Sequence, residues 1–244
     1  MRTREVWGVH CSRRPIRRGD GHGLPSLLGD IALAIEAIID TRRRVPSNRS
    51  ALVGLSGIDG AGKGYVAAEL TARLEARGMR VANINIDGWL SLPGVRFSRI
   101  NPAEHFYAHA IRFGALFDEL ILPLKARRSI EVVADVAEET ATSYRQHTYR
   151  FADVDVVVLE GIYLFKRELR QHFDLALWVE CTFATALERA IARAQEGLPP
   201  AETIKAYREI YFPAQRIHFE RDNPQAAAAA IIRNDPRLLR VSEG

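Results

Sequence analysis

The sequence predicts an α/β fold, a parallel sheet covered by helices on both faces. Three observations predict it. From residue 51 onward, short apolar runs alternate with amphipathic stretches. The first run, "ALVGLS", opens into the glycine-rich segment "GIDGAGKGY" just before a helical pattern starts. Two later runs, "RVANINID" and "DVDVVVLE", end on Asp87 and Glu160, at the strand ends where such sheets bind ligands.

The elements follow in order. Residues 1–23 carry Gly, Arg and Pro without periodicity and read as a disordered basic leader. Residues 1–18 hold six arginines against one glutamate, a local balance that exceeds the formal net charge of +4, so the remainder is close to neutral and slightly acidic. A basic tail is not a basic domain, which argues against nucleic acid as the partner. "SRRPIRR" lacks the apolar segment that an export signal needs. Residues 25–43 have Leu28, Ile31, Ile35 and Ile38 at three- and four-residue steps, and arginines crowd the end of this helix. Residues 24–46 are therefore an N-terminal helix with its linker, and 47–240 the main domain.

Within that domain "ALVGLS" is a buried parallel strand. "GYVAAELTARLEARG" is a helix with Val66, Leu70 and Leu74 inward and Gly78 as its stop. "RVANINID" is the second strand. Residues 102–124 read as one long amphipathic helix, with Phe106, Ala110, Phe113, Phe117, Leu120 and Leu124 inward. "SIEVV" and "YRQHTYRF" are short extended pieces beside the main sheet. "DVDVVVLE" and "DLALWVE" are buried strands, helices follow at about 183–196 and 201–221, and "AAAAAIIRND" leads into a last strand. No apolar run approaches the roughly 18 residues of a membrane span. Cys11 and Cys181 have no metal-ligand spacing; they allow one disulfide on paper, but the composition favours a reduced, cytoplasmic protein.

The chemistry gathers at the strand ends. Gly57, Gly62 and Lys63 fill the pattern G-x-x-x-x-G-K, while Gly64 stands where a serine or threonine is usual. Glycines turn successive N–H groups into an anion-binding nest, and the following helix adds its positive end. Gly57, Ile58, Asp59, Gly60, Ala61, Gly62, Lys63, Gly64 and Tyr65 are thus the candidate phosphate-binding loop of a nucleotide site, with Lys63 on the β- and γ-phosphates. A plain strand-to-helix turn is the competing reading. Asp87 would orient an acceptor hydroxyl and take its proton. Taken alone it would be a turn aspartate. Glu160 closes the most apolar strand and needs a counter-charge, for which Mg²⁺ is the usual one, with Asp87 beside it. Arg189 and Arg193, four apart on one helix face, read as lid arginines that stabilise the transferred phosphoryl group, bounded by Gly197 and Pro199–Pro200. Their plainer reading is a solvated face paired with Glu188 and Glu196. Asp87, Trp89, His105, Tyr144 and His147 are candidate acceptor-pocket residues. His105, His109 and His147 have no metal spacing, and Trp89 serves equally well as a core plug.

"GLSGIDGAGKGY", "INIDGWL", "VVVLEGIYLF" and "ERAIARAQEG", in this order, resemble the uridine kinase and phosphoribulokinase family of P-loop kinases over roughly residues 50–235. The resemblance implies a P-loop NTPase-type sheet with a helical lid, in an ATP- and Mg²⁺-dependent kinase of a small hydroxyl-bearing molecule. Gly64 departs from the family's hydroxyl residue. Leu90 departs from the second aromatic usual in uridine kinases, and the spacing around His147 also differs. These departures bear on the metal and on uridine as the acceptor. A second function class stays open, a nucleotide-binding switch protein with weakened catalysis. A third is an RNA binder acting through the leader. The sequence also leaves room for a homo-oligomer.

Overall fold

The structure, a computed structural model, describes residues 24–194 and 197–239. The basic leader, Cys11 and Glu196 lie outside them. Helix α1 (Leu24–Arg44) precedes strand β1 (Ala51–Gly57), helix α2 (Lys63–Glu75) and strand β2 (Val81–Asn85). Short helices α3 (Pro93–Arg96) and α4 (Pro102–His109) follow, then α5 (Phe113–Ala115), which runs through a π-helical segment (Leu116–Ile121) into α6 (Leu122–Arg127). Strands β3 (Ile130–Val136) and β4 (Arg145–Phe151) pair as an antiparallel hairpin outside the main sheet. Strands β5 (Val156–Gly161) and β6 (Leu175–Glu180) lead to helices α7 (Phe183–Arg193), α8 (Pro200–Ala206), α9 (Phe212–Asp222) and α10 (Pro224–Ala227). Strand β7 (Ala230–Arg233) and helix α11 (Pro236–Leu239) close the chain.

The main sheet has the order β2-β5-β1-β6-β7, every pairing parallel. Every residue of β1 and β5 is buried, as unbroken apolar strands covered on two faces should be. Register decides the site. Asn85 pairs with Glu160, and Glu160 with Leu55, so β2, β5 and β1 end level beneath the glycine loop.

Two expectations change. The helix expected over 102–124 is broken at Ala110–Arg112, because Ile111 leaves the helix to bridge Leu90 and Arg112 N–H donates to Trp89 O at 2.9 Å. Its apolar period survives because both pieces face one core: Phe106, Ala110, Phe117, Leu120 and Leu124 are all buried, with Phe113 packed against them. In α1 the inward residue of the first turn is Leu27, with Leu28 exposed; Ile31, Ile35 and Ile38 are buried as expected. Asp30 of α1 accepts from Arg233 N at 2.9 Å, tying that helix to edge strand β7.

Behind the sheet ends, the Tyr107 hydroxyl and the His218 ring both bond Asp222 at 2.6 Å, and Arg167 N–H donates to the same carboxylate at 3.1 Å. Burial opposes the Asp222 charge, but the Tyr107, His218 and Arg167 bonds outweigh it and hold the carboxyl below its usual value. Burial also lowers His218, helped by the charges of Lys166 and Arg170 and opposed by Asp222. Both folded values lie below the unfolded ones. The stability each contributes is present at neutral pH and is lost as pH falls, through about 6.5 and below for His218. Urea unfolding at pH 7.5 and pH 5 should show this loss, and His218→Gln should reduce it. An equal loss in the variant would remove His218 from the account.

Candidate functional site

The glycine loop turns tightly from β1 into α2. Gly60 and Gly62 have φ of 76° and 84°, the left-handed region that only glycine enters without cost. A side chain at Gly60 would also strike Ala186 O of α7, 2.5 Å from the Cβ position. Lys63 is the first residue of α2 and is buried, with its Nζ donating to Ile58 O at 3.0 Å. Ile58 and Ala61 are buried, whereas Tyr65 is exposed. The loop thus presents backbone N–H groups, a helix N-terminus and an ammonium at one place, which is the make-up of a phosphate seat.

Below it stand the carboxylates. Asn85 joins them: its Nδ2 donates to Glu160 Oε1 at 2.7 Å, and its Oδ1 accepts from Asp87 N at 2.7 Å. Glu160 is only 5% exposed. Burial pushes its carboxyl up to about 7; Lys63 pulls it down, the Asp87 charge pushes it up, and the Asn85 bond pulls it down. Asp87 keeps a face open to solvent, yet the protein packed around it raises its carboxyl too, against the pull of Lys63. A Cβ at Gly64 would lie 3.5 Å from Glu160 Oε1, an ordinary contact. Among the described residues no group of three or more His, Cys, Asp or Glu is placed to hold a metal. A pair of hard carboxylate donors beside a phosphate seat does fit Mg²⁺, which takes one or two carboxylates and fills its shell with phosphate oxygens and water.

Arg189 and Arg193 of α7 face the loop. Arg189 donates to Ala61 O at 3.1 Å and to Asn234 O at 2.9 Å, while Asn234 Nδ2 donates to Ala61 O at 2.8 Å. Arg193 donates to Asp59 at 3.4 Å, and the Tyr207 hydroxyl donates to the same carboxylate. Glu188 pairs with Arg237, at 2.6 Å. The base of α7 is fixed by Asp235, which accepts from Thr182 N, Thr182 Oγ1, Thr185 Oγ1 and Arg237 N at 2.6–2.8 Å.

On the Asp87 side, the hairpin closes against the β2 exit, with Ala137 N donating to Gly88 O at 2.9 Å. Trp89 is fully buried, stacked on Tyr149 with centroids 6.0 Å apart. His147 meets Tyr149 edge-on at 4.5 Å. The Arg112 guanidinium lies 5.4 Å from the Trp89 ring centre and 4.4 Å from that of Tyr144. Trp89 and His147 thus both pack on Tyr149, and Arg112 links Trp89 to Tyr144; Trp89 itself is a core residue, the plainer of its two readings. His105 is engaged differently, bonded to Val95 O at 2.7 Å and packed on His109.

Sequence reasoning missed Asn85, Arg112, Tyr149, Tyr207 and Asn234. Asn85 had a signal, since it sits two residues before Asp87 at the strand end. Tyr207 and Asn234 had none, because the loop residues they bond, Asp59 and Ala61, lie more than a hundred residues away.

No family model matches the chain, and no curated protein sequence does. Solved structures do. A protein described as a possible uridine kinase from Bacillus stearothermophilus superposes with a TM-score of 0.67 at 18% identity, over 84% of this chain and 98% of that one. A candidate fructose transport system kinase from a Silicibacter species gives 0.63 at 19%, over 83% and 97%. D-glycerate 3-kinase from Cryptococcus neoformans gives 0.56 at 12%, over 76% and 87%. The fold of this chain is that of the P-loop kinases. No helix among the described residues is long and apolar enough to cross a membrane.

Proposed function

We propose that this protein is an ATP-dependent phosphotransferase that places the γ-phosphoryl group of ATP on a hydroxyl of a small molecule, a nucleoside or related acceptor in the manner of uridine kinase. The observation that carries this reading is the grouping at the strand ends: Asn85 bonds both Glu160 Oε1 and the Asp87 N–H, and Glu160 Oε1 lies 3.5 Å from the Cβ position of Gly64, the residue after Lys63 at the start of α2. A pure anion-binding turn has no need of two carboxylates facing the phosphate.

In this reading the loop N–H groups and Lys63 hold the β- and γ-phosphates. Asp87 accepts the hydroxyl proton as the acceptor oxygen bonds to the γ-phosphorus, and the bond from that phosphorus to the β,γ-bridging oxygen breaks, releasing ADP. Asp87 and Glu160 would hold Mg²⁺, which supplies neutralisation of phosphate charge when bound. Arg189 and Arg193 close the site from the lid side, and Tyr144 and His147, backed by the buried Trp89, border the acceptor. The experiment is a transfer assay with ATP and Mg²⁺ against panels of nucleosides, sugars, hydroxy acids and vitamins.

Gly64 favours a second reading, a nucleotide-binding switch protein without turnover. The two readings separate on Gly64→Ser. The Cβ position is open and φ is not in the left-handed region, so serine fits. If the chain is a kinase, Gly64→Ser keeps its ATP affinity and needs severalfold less Mg²⁺ for half-maximal transfer, since the hydroxyl adds one oxygen ligand. If the unaltered protein binds ATP but transfers to no acceptor at saturating Mg²⁺, the switch reading moves ahead.

A further inference from the structure

One carboxylate in the site serves neither metal nor acceptor. Asp59 belongs to the glycine loop itself. Its Oδ1 accepts from Gly60 N–H at 2.8 Å and from Arg193 at 3.4 Å, and its Oδ2 accepts from the Tyr207 hydroxyl. Lys63 and Arg193 act on it electrostatically. These are the kinds of group that a terminal phosphate calls for: a loop N–H, a helix-start lysine and a lid arginine. Tyr207 projects from the turn Tyr207–Tyr211, where the helix loosens to π geometry between α8 and α9. Such turns cost regularity and recur where a side chain has to be aimed.

We infer that Asp59 is a built-in anion of the phosphate seat that ties Arg193 and Tyr207 to the glycine loop and competes with the terminal phosphate of the nucleotide for Gly60 N–H and Arg193. The inference rests on the phosphate-seat reading of the loop. An incoming triphosphate must take those donors from the carboxylate, so phosphate arrival and release of that tie are one event. A neutral residue at this position would leave the donors available and remove a like charge from beside the phosphates. A purely structural tie predicts the opposite, that loosening Asp59 weakens anion binding.

The test uses the full chain, with ATP and with inorganic tripolyphosphate as probes. Calorimetry should show that Asp59→Asn binds both more tightly, by about tenfold for removal of one like charge at close range. Tyr207→Phe, which keeps the ring and loses one donor to Asp59, should move the same way by a smaller factor. It decides the matter if Asp59→Asn does not fold. In nucleotide-free protein, hydrogen exchange over residues 200–211 should quicken in both variants. Equal or weaker anion binding by the variants, with the unaltered protein binding, overturns the competition, even if lid exchange quickens. Failure of all three proteins to bind either probe overturns the phosphate-seat reading, and the competition with it.

Discussion

Lys63→Ala should weaken ATP binding by at least about 10- to 100-fold, the range of one lost charge-assisted hydrogen bond, about 1.5–3 kcal/mol. The Lys63 ammonium donates to Ile58 O, within the glycine loop. Its removal also takes away a positive charge that acts on Asp59, Asp87 and Glu160. The effect therefore exceeds the lost contact, because three carboxylates then face the triphosphate with less compensation. Glu160, already at about 7, would move further up. Titration calorimetry on the variant, with circular dichroism to establish that it is folded, checks the expectation. Unchanged ATP affinity in a folded Lys63→Ala protein would contradict the phosphate seat.

What could be read from the chain was what local physics fixes. Unbroken apolar runs gave β1, β5 and β6, the alternating run "RVANINID" gave β2, and the glycine loop, Asp87 and Glu160 lie at the ends of β1, β2 and β5. The helix over 102–124 was misread because its period is genuine. Two short helices packed on one core repeat apolar residues as one long helix does, and the break depends on Ile111 finding Leu90. The arginines were ambiguous for a related reason. Four-residue spacing puts Arg189 and Arg193 on one face but does not say whether solvent or the glycine loop lies opposite. That is settled only when Ala186 packs on Gly60, a contact that only glycine permits there. Tyr207 was illegible altogether. It follows a proline-bounded helix and looks like a core aromatic until its hydroxyl is seen on Asp59.

Asp87→Asn should leave ATP binding close to normal and lower turnover by about 10²–10⁴, the usual cost of losing a positioned general base. Asp87 follows β2 and is exposed, as a group that meets an acceptor hydroxyl has to be. The Asn85 bond to Asp87 is made to its backbone N–H, so the amide replacement keeps that turn intact. The substitution does change one neighbour. Asp87 pushes Glu160 upward, so the variant should let the Glu160 carboxyl fall below about 7. Charge at Glu160 then becomes easier to hold at neutral pH, and affinity for Mg²⁺–ATP need not suffer although one carboxylate is gone. This separates two accounts of Asp87. A residue acting only through electrostatics on the phosphates would change ATP affinity in step with the rate. A residue that takes the acceptor proton changes kcat alone, and the loss persists at saturating ATP, Mg²⁺ and acceptor. Measuring kcat and the ATP dissociation constant on the same protein decides between them. Near-normal kcat in Asp87→Asn would remove Asp87 from the chemistry.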